Sequence, residues 1–152
     1  MELANPVKKR RREQVEPRAR QFVADYPIRP ARCEGKEGIL IRLLLPSYRS
    51  LPLSCIYGID ITIDREAVER NCTRLILNGY THRLDELAAL STVFWFILDY
   101  ADFFVERSLA PGLHTVAGRM LVVEPYMTVG RFPFIYEAER TLLMEQEQRG
   151  SA

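Results

Sequence analysis

Between Ile59 and Asp64 the chain alternates without a break, with Ile59, Ile61 and Ile63 on one side and Asp60, Thr62 and Asp64 on the other. A period of two is the pattern of a β-strand with one buried face. The chain that leads into this strand does not alternate. Pro46-Ser47-Tyr48-Arg49-Ser50-Leu51-Pro52-Leu53-Ser54-Cys55-Ile56 carries two prolines, each with a fixed φ and no donor. It reads as a rigid extended loop that feeds the strand and cannot lie in the middle of a sheet.

Further strand signals lie on both sides. Ile39, Ile41, Leu43 and Leu45 share one face, with Leu40, Arg42 and Leu44 opposite. A strand apolar on both faces except at Arg42 belongs at the centre of a sheet or under a partner. Residues 73–77 and 80–84 flank Asn78-Gly79, a pair suited to the positive φ angles of a type I′ turn, and this predicts a hairpin. Residues 85–90 fit one helical turn with Asp85 as its cap. Residues 93–105, rich in aromatic side chains and holding the sole tryptophan, Trp95, form one long strand or two short ones.

After Pro111-Gly112, residues 114–123 predict another strand, with a bulge at Gly118. Pro125 and Pro133 bracket a shorter extended piece through Tyr126 and Met127. The segment from Ile135 fits a short helix over residues 137–145 or a strand through residues 141–144, and the strand is the reading adopted. Six to eight strands, broken by turn signals and without regular helices between them, predict an all-β fold, an antiparallel β-sandwich.

At 152 residues the chain is the size of one domain with tails. Residues 38–145 are assigned to the sandwich, residues 1–37 to an extended basic N-terminal arm and residues 146–152 to a tail. Up to Pro30 the arm holds eight Lys and Arg against four Asp and Glu, including Lys8-Lys9-Arg10-Arg11-Arg12. This arm is open to two readings, a phosphate or nucleic-acid contact and a solvated or partner-wrapping tail. The second is preferred because no aromatic residue interleaves with the basic cluster to stack on bases. A net charge of +1 points to neither a nucleic-acid-coating nor an acidic protein. No apolar run approaches the roughly 20 residues of a membrane span, and no signal-peptide pattern is visible, so a cytoplasmic location and no membrane contact are expected. Cys33, Cys55 and Cys72 are odd in number and lack a C-x-x-C spacing, which favours buried or incidental thiols over a disulfide framework or a structural zinc site.

Chemistry-bearing residues are few. The two histidines, His82 and His114, fall in different strands. His82 is in phase with Tyr80 and Leu84 and reads as a partly buried, hydrogen-bonded side chain. His114 follows a turn and reads as a turn-terminal polar residue or as one facing a site. Asp60 and Asp64 share a strand face, which would place two carboxylates on one side, but a half-exposed strand shows the same pattern. Phosphate loops, a G-x-S-x-G elbow and an H-E-x-x-H helix are absent. Any part in catalysis is expected beside another chain.

The stretch from Tyr48 to Ile56, followed by Ile59-Asp60-Ile61-Thr62-Ile63-Asp64, resembles the signature of the small, β-sandwich subunit of bacterial C-glycoside deglycosidases. Shorter matches follow in order: Leu84-Asp85-Glu86-Leu87, Trp95-Phe96, residues 101–105, Pro111-Gly112-Leu113-His114-Thr115-Val116 and Tyr126-Met127. The resemblance covers residues 38–127 and departs from the family at Thr128-Val129-Gly130-Arg131, where a proline is expected. It implies an accessory subunit, not catalytic alone, paired with a larger TIM-barrel subunit similar to sugar isomerases and epimerases. That partner is expected to hold a divalent metal such as manganese or magnesium, with no cofactor on the present chain.

The implied reaction, reached by substrate only through the complex, cleaves the carbon–carbon bond between a 3-oxo sugar and an aromatic aglycone. A carbonyl at C3 acidifies the proton at C2, and once a base removes that proton the aglycone departs from C1. Tyr48, Arg49, Leu51, Pro52 and Ser54 match the signature and are the candidates for the loop that meets the large subunit or rims its active site, with His114 as a further rim candidate. The alternative is a free-standing carbohydrate-binding sandwich, which requires Trp95, Tyr100 and Tyr126 on one exposed face. Nucleic-acid binding through the basic arm ranks last.

Overall fold

The structure, a computed structural model, describes residues 21–47, 49–124 and 133–145, together with the backbone of Pro17–Arg18. In chain order the strands are β1 (Pro17–Arg18), β2 (Arg29–Cys33), β3 (Lys36–Leu44), β4 (Leu51–Pro52), β5 (Ile56–Ile63) and β6 (Glu66–Ala67). They continue with β7 (Thr73–Leu77), β8 (Tyr80–His82), β9 (Phe94–Trp95), β10 (Tyr100–Val105), β11 (Gly112–Val122) and β12 (Phe134–Met144). Among the described residues seven strands run five residues or more, within the expected range. One sheet has the order β1-β12-β11-β5-β6, the second β2-β3-β10-β7-β8, and β4 pairs only with β9. All pairs are antiparallel except β1 with β12.

The two inner faces meet in one core. Ile39, Ile41, Leu43 and Leu45 are buried, as are Ile59, Ile61 and Ile63 of β5, opposite Val116, Met120 and Val122 of β11. Strand β3 is central, between β2 and β10, as its two apolar faces require. Arg42 on its outer face is accommodated by stacking, its guanidinium 3.9 Å from the ring centre of Tyr26 and 3.5 Å from that of Tyr100. Asn78 at φ 52° and Gly79 at φ 85° make the expected hairpin turn between β7 and β8. The segment after Ile135 is strand, and residues 93–105 are two short strands, β9 and β10.

Three expectations change. The arm boundary moves from residue 37 to residue 21 or earlier, because β2 pairs with β3 and Phe22, Val23 and Ile28 are fully buried. Residues 22–28 close one side of the sandwich. The amides of Ala24 and Leu44 bond Arg42 O and Phe22 O across to β3, while Ile28 N–H donates to Leu143 O and Glu145 N–H to Ile28 O on β12. Pro30 is tolerated there because β2 lies at the edge of its sheet.

Gly118 is not a bulge; the register slips between Leu121 and Val122 instead. Gly118 faces a close approach, since a Cβ there would stand 2.7 Å from Ile61 Cδ1 and 3.1 Å from Phe22 Cζ. The helical turn is a 3-10 helix, Leu84–Ala89, and Arg83 stands at its N-cap in place of Asp85, its backbone N–H donating to Glu86 Oε1 at 3.0 Å. Residues 1–16, Tyr126 and Met127 lie outside the described residues. Among the described residues no helix is long and apolar enough to cross a membrane.

Candidate functional site

The proline-framed loop is held against the chain around Trp95. Leu51 and Pro52 pair with Trp95 and Phe94, Leu53 N–H donates to Val93 O at 2.8 Å, and Ser54 N–H donates to Leu90 O at 3.1 Å. Ser50 Oγ accepts Ile97 N–H at 2.8 Å. Trp95 is completely buried, and its indole N–H closes the following turn on Asp99 O at 3.0 Å. The loop is thus a latch between the two sheets at one end of the sandwich, and Val123 N–H, donating to Cys55 O at 2.9 Å, ties the end of β11 to it.

The candidate residues divide by position. Arg49 is exposed, with its backbone N–H 3.3 Å from the Oγ of buried Ser47. Pro52 and Ser54 are half-buried. Leu51 is completely buried, so it anchors the loop from below and offers no surface to a partner. Tyr48 lies outside the described residues.

His114 is elsewhere. It stands beside Asp64, just past the far end of β5, so about 23 Å of strand separates it from the loop at ~3.3 Å per residue. Its Nδ1 is 2.6 Å from Asp64 Oδ2 and its Nε2 is 2.7 Å from Ala110 O. A carbonyl oxygen only accepts, and an ionised carboxylate only accepts, so making both bonds at once requires a proton on each ring nitrogen, and this geometry favours the imidazolium form. The bond to Asp64 first, then that to Ala110, raises the His114 pKa above its ordinary value. Asp64 is lowered by His114 and by Thr115 N–H, which donates to Oδ1 at 2.9 Å. Neither nitrogen is free to take a proton or a metal. Asp64 and Arg65, at φ 51° and 71°, form the β5–β6 turn, so Asp64 does not share the outer strand face with Asp60.

His82 is partly buried with Nδ1 3.7 Å from Glu86 Oε1, and its Nε2 has no hydrogen-bond partner among the described residues. Cys33 is buried, Cys55 and Cys72 are half-buried, and all three are free thiols, with burial pushing the Cys33 and Cys55 thiols up. Among the described residues no group of three His, Cys, Asp or Glu side chains is placed to hold a metal ion.

Residues 21–126 match the family model described as C-glycoside deglycosidase beta subunit. The chain belongs to this family. It is 31% identical over 93 residues to the C-glycoside deglycosidase beta subunit of Arthrobacter globiformis, covering 61% of this chain and 67% of that one. It is 31% identical over 99 residues to the 3'-dehydrocarminate deglycosidase beta subunit of a Microbacterium species, covering 64% and 75%. It is also 32% identical over 90 residues to the C-glycoside deglycosidase beta subunit of Microbacterium trichothecenolyticum, covering 59% and 69%.

For this beta-subunit family member, the match begins at residue 21, just after β1, and takes in the latch and the His114–Asp64 pair. The free-standing sugar platform loses its main member, since Trp95 is in the core and only Tyr100 of the described pair is exposed. Two features escaped sequence reasoning. The Ser50–Ile97 bond joins residues far apart in sequence, and the Asp64-Arg65 turn lacks glycine.

Proposed function

We propose that this chain is the accessory subunit of a C-glycoside deglycosidase that cleaves the carbon–carbon bond between a 3-oxo sugar and an aromatic aglycone. The observation that carries the reading is the family match over residues 21–126, which spans most of the sandwich and its proline-framed loop. A beta subunit implies a companion, and the companion proposed is a TIM-barrel protein similar to sugar isomerases and epimerases, working in the cytoplasm. It would hold the divalent ion, manganese or magnesium, which polarises the C3 carbonyl and so stabilises the enolate. The relative whose name specifies a 3'-dehydro substrate supports the 3-oxo oxidation level.

On this reading the present chain supplies position and enclosure rather than the base or the metal. Exposed Arg49 and half-buried Pro52 and Ser54 of the latch are the residues proposed to rim the companion's site, together with Tyr48. His114, with both nitrogens engaged, is proposed as a structural clasp. Co-expression with the proposed barrel companion tests the role. A stable hetero-complex is expected on gel filtration; two proteins that purify apart, each active alone, would sink the reading.

A further inference from the structure

A four-residue turn normally carries Gly, Pro, Asn, Asp or Ser, because these residues satisfy its backbone and tolerate solvent. The turn that follows Trp95 is Phe96-Ile97-Leu98-Asp99, and Leu98 is 92% exposed. It is closed by Asp99 N–H donating to Phe96 O at 2.9 Å. Of the ten large apolar side chains exposed among the described residues, six lie around it: Leu44, Phe94, Phe96, Ile97, Leu98 and Tyr100.

They form one neighbourhood. The rings of Phe94 and Phe96 are stacked with centroids 6.1 Å apart, Tyr100 pairs with Leu44 across β10 and β3, and Leu98 and Tyr100 line one shallow cleft of about 360 Å³ whose other walls include Ile76 and the polar residues Asn78, Asp99 and Asp102. Such a patch on a folded chain marks a contact surface. The turn is also fixed in advance, by Ser50 Oγ on Ile97 N–H and by the Trp95 indole on Asp99 O. A preordered apolar tip loses little freedom on association, which is how a few residues come to dominate an interface.

We infer that the companion subunit docks on this end of the sandwich, with Leu98 as the central anchor entering an apolar pocket on that subunit and Phe96, Ile97 and Tyr100 around it. The inference rests on the subunit reading above, and that reading selects the occupant, since a beta subunit has an obligatory non-identical neighbour. The same latch that presents Leu98 also carries Arg49 at its tip, so docking here brings the proline-framed loop to the companion without any further movement.

The test is co-expression of the proposed barrel companion with wild type, Leu98→Asp and Leu113→Asp. Leu113 is 71% exposed near the His114 end and serves as the matched control. Because both leucines are in solvent, both variants are expected to melt at the wild-type temperature. Leu98→Asp is expected to weaken the complex on the order of 30-fold or more, and Leu113→Asp to leave it unchanged. A complex with Leu98→Asp as tight as wild type overturns the inference and leaves the subunit reading standing. A Leu98→Asp variant that breaks self-association of this chain but keeps the hetero-complex also overturns it. Wild type that fails to bind the barrel protein removes the subunit reading itself and the inference with it.

Discussion

His114 is held by two acceptors, and charge on the imidazole is what satisfies both. Its pKa is raised by the Asp64 carboxylate and the Ala110 carbonyl, so the stability it contributes is complete below the unfolded-state value of 6.5 and is lost as pH rises through the higher folded-state value. Asp64 runs the other way. Its pKa is lowered from 3.8, so its contribution is present above that value and is lost as pH falls through the folded-state one. The clasp is therefore complete in the window between those two limbs. Thermal melting of wild type and His114→Gln on a pH series that starts below 6.5 and rises well above it checks this, since the folded-state pKa is raised above that value. The wild-type advantage is expected to shrink as pH rises; an advantage that stays constant would show that the bonds do not depend on the charge. The histidine's place after a turn was legible in the sequence. Its carboxylate partner was not, because the pairing spans 50 positions and depends on the backbone turning at Asp64.

At the scale of elements, the latch between β4 and β9 joins the two sheets at one end through a buried indole. Trp95→Ala is expected to cost roughly 3–5 kcal/mol, the range for emptying a large aromatic site in a core, and to leave Asp99 O without its donor. Urea denaturation gives this directly, and a loss near zero would mean that the tryptophan is not the core of the latch. What could be read from the sequence at this scale was local. The isoleucine alternation of β5, the two apolar faces of β3 and the Asn78-Gly79 turn each state their structure within a few residues. Residues 21–33 could not be read that way, because Pro27, Pro30 and sparse apolar residues have the composition of an arm. Only the folded chain shows that Phe22, Val23 and Ile28 fill the open side between the sheets. Gly118 misled for a related reason: glycine in a strand signals either a bulge or a close approach, and the neighbours that decide, Ile61 on the paired strand and Phe22 from the distant edge, are far away in sequence.

For the whole molecule, the two ends of the sandwich differ. One carries the clasp, with both histidine nitrogens engaged; the other carries the latch and a preordered apolar tip. The far edges of the sheets, β6 and β8, are only two and three residues long, which limits strand addition from another chain there. A partner is better received at the apolar end, and the family supplies one. The candidate rim residues were found in the sequence by resemblance, whereas the turn beside them was not, since an exposed Phe-Ile-Leu run looks like strand until its burial is known. The central claim is that this beta subunit contributes to deglycosidase activity only together with its companion. It is tested by measuring aglycone release from a 3-oxo C-glycoside with this chain alone, the proposed barrel companion alone, and the two co-expressed. Release by the co-expressed pair, with each protein alone inactive, is the predicted result; full activity of the barrel protein without this chain would contradict it.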